Sequence, residues 1–393
     1  MKKQLRFERA EFAARLLAVK KEMAKRGIDI LLLSEPPNQN YLTGYDSLSF
    51  YTPQMVIVAV NHDEPIWIAR FMERPQAVMG TYLADDNIRT YPDEYVNSHA
   101  GLSAYDVMAD LVKELGGEKA KIGVEMGGYY YSARAHADLV RALPLAEFVD
   151  ADLLVNWIRI VKSPAELVYM RQAGRIADAM IKRAVDTIEP GVRECDVAAA
   201  VYHQQISGTP EFGGCYDSSC LFFGVGERAL VPHPTWTDEP LPASTTIYTE
   251  VHGVRLRYQV NLARTIVVGK PTPDYQKFSE IAIEALNMGL EGVRPGRTCS
   301  EIQAAYARTL KRHGYEKEAR LGYSQGIGYP PASAERTASL RKGDHTVLHP
   351  GMCFHMMAAL WLEDKSICIT QPLAVTENGY EPLTTTLRTL FVK

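Results

Sequence analysis

The chain has 393 residues, 46% of them hydrophobic and 23% charged, which is enough for two or three domains with proper cores. Lys plus Arg number 43 against 47 Asp plus Glu, and a net charge of −4 with no basic block excludes the footprint of a nucleic-acid or acidic-membrane binder. The longest uncharged stretch, Ser47 to His62, is broken by Pro53 and is too short to span a bilayer. The N-terminal segment is charged throughout, without the apolar core of a secretory signal. Cys195, Cys215, Cys220, Cys299, Cys353 and Cys368 form no CxxC pair and no metal-ligand spacing, so a cytoplasmic protein with reduced thiols is expected.

Helical periodicity runs through Phe12, Leu16, Leu17, Val19 and Met23. Short apolar runs follow at Ile28–Leu33, Met55–Val60 and Pro65–Ala69, separated by turn-rich stretches such as Glu35-Pro36-Pro37-Asn38. A strand at Lys121–Glu125, a helix near Ser132–Leu143 and an apolar run at Glu147–Val149 continue the alternation, which predicts an α/β layer domain over residues 1–158. Ser163-Pro164-Ala165-Glu166 is a capping box with Pro at the first helical position, opening a long helix to about Asp186 at the head of a second domain, 159–393. That domain contains an echo. Ile188-Glu189-Pro190-Gly191 and the positions after it recur as Val293-Arg294-Pro295-Gly296 at a constant offset of 105, which suggests a pseudo-twofold α+β unit with an antiparallel sheet.

Gly322-Tyr323-Ser324-Gln325-Gly326 matches a nucleophile elbow, but Pro330 and Pro331 forbid the helix that an elbow needs, so a turn-forming loop is expected instead. Gly224-Val225-Gly226 and Gly326-Ile327-Gly328 lack the third glycine of a dinucleotide site. The useful constellation lies between His233 and Thr370. Ile247–Val251 and Tyr258–Val268 read as two strands joined by a turn near Gly253. With the capping box upstream and Pro350-Gly351-Met352 downstream, this arrangement resembles the pita-bread family of methionine aminopeptidase, prolidase, aminopeptidase P and creatinase. Asn40-Tyr41-Leu42-Thr43-Gly44-Tyr45 is similar to the signature of the creatinase-type N-terminal domain, so the resemblance covers nearly the whole chain.

The family's peptidases hold two metal ions with Asp, Asp, His, Glu and Glu. At the matching positions this chain carries Glu250, Asn261, Gln325, Met357 and Thr370. Neutral amides, a thioether and a hydroxyl cannot neutralise and bridge two cations, so no metal and no other cofactor is expected. Creatinase, which resembles this chain more distantly, implies the alternative: a metal-free hydrolase whose cationic substrate occupies the vacated space. Within that branch the chain is most similar to ectoine hydrolases, through Pro232-His233, Thr235-Trp236, Glu335-Arg336-Thr337 and Phe354-His355-Met356. The resemblance implies hydrolysis of a cyclic amidine to an N-acetylated diamino acid, with Glu250 attacking or holding the amidine carbon and His233 shuttling protons. Gln371 and the Gly213-Gly214-Cys215-Tyr216 segment depart from the ectoine-hydrolase pattern and bear on the substrate.

Each candidate has a plainer alternative. Glu250 sits mid-strand among apolar residues, where an unpaired carboxylate is costly, and a salt bridge with Arg255 or Arg264 would also satisfy it. His252 shares a strand face with Glu250 by period two and can orient it, or it is a packed histidine. His355 is expected to line the site, or it is a satisfied core histidine, and Gln325 and Asn261 are expected to be polar lining. Arg336 can hold a substrate carboxylate bidentately beside Glu335, or the two form a solvated charge pair. Trp236 joins the substrate-binding set, and Phe50 with Tyr51 is expected to close over a partner's site in a twofold homodimer, as the resemblance implies, with core packing the plainer reading of either residue alone. A creatinase-like amidinohydrolase releasing urea and a non-catalytic binding module are the remaining readings. A small-molecule substrate is expected, with neither nucleic acid nor membrane as partner.

Overall fold

The computed structural model describes residues 2–97 and 101–393. The chain divides into two compact units, Met1–Arg159 and Ile160–Lys393. The first contains α1 (Arg9–Arg26), β1 (Ile30–Leu33), α2 (Pro36–Thr43), β2 (Met55–Ala59), β3 (Ile66–Arg70), α3 (Arg74–Gly80), β4 (Ile88–Tyr91), α4 (Ala104–Glu114), β5 (Lys121–Val124), α5 (Ala133–Ala142), β6 (Glu147–Asp150) and α6 (Leu154–Arg159). Its sheet has the order β4-β3-β2-β1-β5-β6, antiparallel where β2 pairs with β1 and β3, and parallel elsewhere. The uninterrupted apolar runs of β1 and β2 are buried at every position, as strands covered on both faces must be. On one face Ile30, Leu32, Ile57 and Ile68 pack with Met108, Leu111, Val112 and Leu139 of α4 and α5.

The Glu35–Asn38 stretch is not a turn. Its prolines occupy the first two positions of α2, where a missing N–H costs nothing. The Asn40–Tyr45 signature is structural. Asn40 Nδ2 donates to the Tyr45 carbonyl at 3.0 Å and Thr43 Oγ1 to the Gln39 carbonyl at 2.7 Å, closing the end of α2.

The second unit contains α7 (Pro164–Thr187), α8 (Glu194–Ser207), β7 (Phe222–Val225), β8 (Thr245–Arg255), β9 (Tyr258–Val268), α9 (Pro273–Glu291), α10 (Cys299–Arg312), β10 (Gly322–Tyr329), β11 (Ala332–Leu340), β12 (Cys353–Trp361), β13 (Ser366–Val375), β14 (Tyr380–Pro382) and β15 (Phe391–Val392). The sheet runs β14-β13-β12-β10-β9-β8-β7, antiparallel at every step, with β11 added to β10 and β15 parallel to β9. Among the described residues no helix is long and apolar enough to cross a membrane.

The echo in the sequence is an echo in backbone hydrogen bonding. Gly191 and Gly296 both adopt left-handed φ, +86° and +84°, which opens each Pro-Gly turn. Gly191 N then bonds the Leu241 carbonyl, and Gly296 N the Leu348 carbonyl. Arg193 bridges Pro240 just as Thr298 bridges Val347. Each half is therefore a helix pair, α7–α8 or α9–α10, with a long hairpin, β8–β9 or β12–β13.

Two glycines serve close packing rather than turning. Gly253 lies inside β8, and a Cβ there would come 2.1 Å from the Ala173 carbonyl of α7; the expected turn sits instead at Leu256 and Arg257, both with positive φ. The Gly322–Gly326 segment is strand β10, not a loop. Ser324 Oγ is paired with Thr337 Oγ1 at 2.7 Å, and a Cβ on Gly326 would meet Glu335 Oε1 at 2.3 Å. Strand periodicity then sorts the chemistry. On β12, Phe354, Met356, Ala358 and Leu360 pack with Leu286, Leu290, Ile302 and Tyr306 of α9 and α10. That leaves His355, Met357 and Trp361 on the opposite face.

Candidate active site

A cavity of about 440 Å³ opens on that opposite face, within the second unit. Strand β8 supplies Tyr248, Glu250 and His252 to its lining by period two, β9 supplies Asn261, and Tyr323, Ser333, Met357 and Trp361 close the other side. His233, with Phe222 edge-on at 5.0 Å, lines the mouth and is solvent-exposed.

Glu250 is 5% exposed. Its Oε2 accepts from the Tyr248 hydroxyl at 2.9 Å, and Oε1 lies 3.6 Å from His252 Nε2. On its other side His252 Nδ1 lies 3.4 Å from Asp217 Oδ2. The result is a buried Asp217–His252–Glu250 line. Burial alone would raise the Glu250 carboxyl, but the His252 ring, the His355 ring and the Tyr248 hydroxyl together overcome it and hold the group at about 2. Burial alone would lower His252, but Asp217 and Glu250, one on each ring nitrogen, carry it to about 9. At neutral pH His252 is therefore an imidazolium and Glu250 a carboxylate. Neither arginine offered as a salt-bridge partner reaches Glu250. Arg255 bonds Gln172 and the Gly213 carbonyl, and Arg264 is consumed by the carbonyls of Ala263, Thr370, Thr386 and Leu387.

Asn261 is the second polar wall. Its Nδ2 donates to Tyr323 Oη at 3.0 Å and Ser333 Oγ at 2.8 Å, while its buried Oδ1 has no partner. A buried acceptor without a donor costs roughly 1–3 kcal/mol. Tyr323 Oη also meets His355 Nδ1 at 3.1 Å. Burial pushes His355 down to about 4, against the pull of Glu250, so it is a neutral histidine.

Several expected site residues stand elsewhere. His355 is fully buried behind Tyr323 and does not line the cavity. Gln325 also lies behind the wall, where its Oε1 accepts from the Asn261 backbone N–H at 3.2 Å. Glu335 is neither solvated nor in the cavity; it forms a buried ion pair with Lys162 at 2.6 Å, for which Gly326 leaves room. Arg336, on β11 with φ +62°, is not part of the lining. Trp236 packs edge-on against Tyr202 at 5.6 Å, outside the cavity. Phe50 and Tyr51 belong to the first unit, where they border a separate pocket of about 290 Å³ and Tyr51 is 73% exposed. Conversely, sequence reasoning missed Tyr248, Asp217, Tyr323, Lys317 and Arg320. Tyr248 was within reach, two positions before Glu250 on one strand. Asp217, Lys317 and Arg320 lie between elements, where no periodicity marks them.

The donor set does not fit a two-metal centre. Of the five family positions only Glu250 is a carboxylate, and its oxygens face Tyr248 and His252. Thr370 Oγ1 accepts from the Ala263 N–H at 2.8 Å, and Gln325 braces β9. Among the described residues no group of three or more His, Cys, Asp or Glu side chains is placed to hold a metal ion.

Comparison with known proteins agrees with this architecture. The profile of metallopeptidase family M24 matches residues 168–377, and that of the creatinase/prolidase N-terminal domain matches 15–161. An uncharacterized hydrolase/peptidase of Sinorhizobium fredii is 48% identical over 389 residues, 99% of each chain. An ectoine hydrolase of Halomonas elongata is 40% identical over 396 residues, again 99% of each chain. Among solved structures, the prolidase of Pyrococcus horikoshii superposes with a TM-score of 0.79 at 22% identity, covering 95% of this chain and 99% of its own, a likeness of fold alone. The chain therefore belongs to metallopeptidase family M24, with a creatinase/prolidase N-terminal domain before a pita-bread C-terminal domain.

Proposed function

We propose that the protein hydrolyses a C–N bond of a small zwitterionic cyclic amidine, in the manner of ectoine hydrolases and without a metal ion. The observation that carries the reading is the acceptor wall: an ionised, buried Glu250 lining a cavity whose other matched metal positions are neutral. That wall complements an amidinium, which offers N–H donors and positive charge together. At about 4 Å and an effective dielectric of 20, one carboxylate is worth roughly 4 kcal/mol to such a cation. The 40% identity to an ectoine hydrolase along the whole chain supports the same substrate class.

The amidine carbon is already electrophilic, so no Lewis acid is needed at that atom. Glu250, one methylene longer than the Asp of the metallopeptidases, reaches about 1.5 Å further into the space the metals would fill. There it attacks the carbon or anchors the cation while water attacks. The imidazolium of His252 fixes the carboxylate from behind, and Asp217 keeps that imidazolium charged. His233, at the open mouth, delivers the proton to the leaving nitrogen and collects it again from water. The reading includes a cytoplasmic homodimer in which Phe50 and Tyr51 cover the partner's cavity.

A turnover screen with ectoine, hydroxyectoine, creatine and proline dipeptides, run with and without chelator, tests the proposal. Ring opening of ectoine or hydroxyectoine in chelator is the expected result. Cleavage of proline dipeptides restored by added divalent metal would overturn it. Mass spectrometry of acid-quenched enzyme separates covalent attack, which adds substrate mass to the Glu250 peptide, from anchoring, which does not.

A further inference from the structure

The acceptor wall accounts for one end of the cavity and leaves the charge of the other unexplained. Lys317 and Arg320, on the segment between α10 and β10, both line it. Lys317 Nζ donates to the Ala359 carbonyl at 2.6 Å and lies 5.5 Å from the Trp361 ring centroid. The Arg320 guanidinium sits 4.4 Å from the Tyr323 ring centroid, and its Nη1 donates to Ser339 Oγ at 3.3 Å. Among the described residues neither cation has a carboxylate partner within ion-pair distance. The neighbouring Glu316 and Glu318 are exposed. The one carboxylate in the lining, Glu250, is already held by Tyr248 and His252. Counting His252 as an imidazolium, the lining presents three positive groups against one negative. A purely cationic substrate would add a fourth.

We infer that Lys317 and Arg320 form an anion subsite that receives the substrate's carboxylate, so that the cavity reads a zwitterion by its two ends. Two partly desolvated cations without a counter-anion are costly in the empty cavity, and a carboxylate relieves both. Burial pushes Lys317 down to about 8 and Arg320 below its usual range, the mark of cations without an anion nearby. The guanidinium supplies a planar fork matched to a carboxylate, and Lys317 supplies a point charge. Tyr323 joins the two ends: its hydroxyl bonds Asn261 on the acceptor side while its ring carries Arg320. The subsite rests on the cyclic-amidine reading only for the identity of the ring, not for the anion it binds.

Two measurements on the full-length protein test this. The first is calorimetric titration with acetate, using acetamide as the neutral control, on wild type and on the Lys317→Gln/Arg320→Gln double variant, with melting curves to show that both are folded. Wild type is expected to bind acetate and not acetamide, and the variant to lose at least about tenfold of the acetate affinity. Equal acetate binding by both proteins, or none by wild type, would overturn the subsite whatever the enzyme's substrate is. The second measurement is the ratio of kcat/KM for ectoine to kcat/KM for the same ring without its carboxylate, 2-methyl-1,4,5,6-tetrahydropyrimidine. Arg320→Gln should lower that preference on the order of 10- to 100-fold, mainly through KM, and Arg320→Lys should restore part of it. An unchanged preference contradicts the subsite. Acetate binding without turnover of either ring sinks the amidine reading alone.

Discussion

In the first half of the C-terminal unit, the hairpin β8–β9 carries Glu250, His252 and Asn261. In the second half, the hairpin β12–β13 carries Met357 and Thr370 at the family's equivalent positions. The backbone plan is shared down to single hydrogen bonds: Pro240 and Val347, 107 positions apart, make the same bridge to their Pro-Gly turns. At that same offset Glu250 matches Met357, and both side chains face the cavity. Backbone constraints held both copies alike because each helix pair needs its turn and each hairpin its register. The chemistry differs between them: the one carboxylate of the lining, Glu250, lies in the first half. A paired metal site needs carboxylates from both halves, whereas an organic cation needs acceptors on one side and room on the other.

The sharpest way to break the comparison is to remove the charge from the first half. Glu250→Gln keeps the shape and should lower kcat/KM on the order of 10²- to 10⁴-fold in steady-state turnover, with an unchanged circular dichroism spectrum. Glu250→Asp keeps the charge but withdraws it, and activity should collapse as well; near wild-type turnover by either variant would refute the reach argument. Asp217→Asn acts one step further back, through His252. It should cost about tenfold in kcat and move the alkaline limb of the pH–rate profile down from about 9 toward the ordinary 6.5 of histidine. A profile that stays in place would show that Asp217 does not set the imidazolium's charge.

The same pair leaves a signature in stability. His252 is raised on folding, so its contribution is fully present below about 6.5 and lost as pH rises through about 9. Glu250 is depressed, so its contribution is present above about 4.5 and lost as pH falls through about 2. Melting temperatures recorded from pH 5 to 9.5 should therefore fall at the alkaline end in wild type, and fall less in Asp217→Asn. In the second half, Gly326→Ala should destabilise by roughly 1–3 kcal/mol in denaturant unfolding, since the new methyl collides with the Glu335–Lys162 pair. The smallest effect belongs to Met357→Leu, the counterpart of Glu250. A volume-conserving swap there should change stability by less than about 1.5 kcal/mol and turnover only a few-fold.

The fold was legible wherever periodicity or chain chemistry is local. The Ser163–Glu166 capping box forms as read, with both reciprocal bonds present. The Pro-Gly echo marks true half-units, and Glu250 with His252 shares a strand face because alternation fixes it. Glycine misled twice. Gly253 and Gly326 resemble turn residues in one dimension, but their cause is a neighbour distant in sequence, Ala173 of α7 and Glu335 of β11. Proline misled once, since the Pro36-Pro37 pair opens a helix as readily as it ends one. Asp217, Lys317 and Arg320, also on loops, were beyond reach for the same reason. Lys317 and Arg320 acquire meaning only when β10 and β12 bring Tyr323 and Trp361 beneath them. Arg336, which carries the same charge and sits within a resemblance motif, is placed outside the cavity lining on its strand.

Under the proposed function Glu250 meets an organic cation where the family's peptidases hold metal. The most direct measurement is the rate of ectoine ring opening by wild-type enzyme after exhaustive treatment with EDTA and 1,10-phenanthroline, followed by addition of manganese, cobalt or zinc. Full activity in chelator and no gain from any of the three metals is the expected result. Activity lost on chelation and restored by one of them would contradict it.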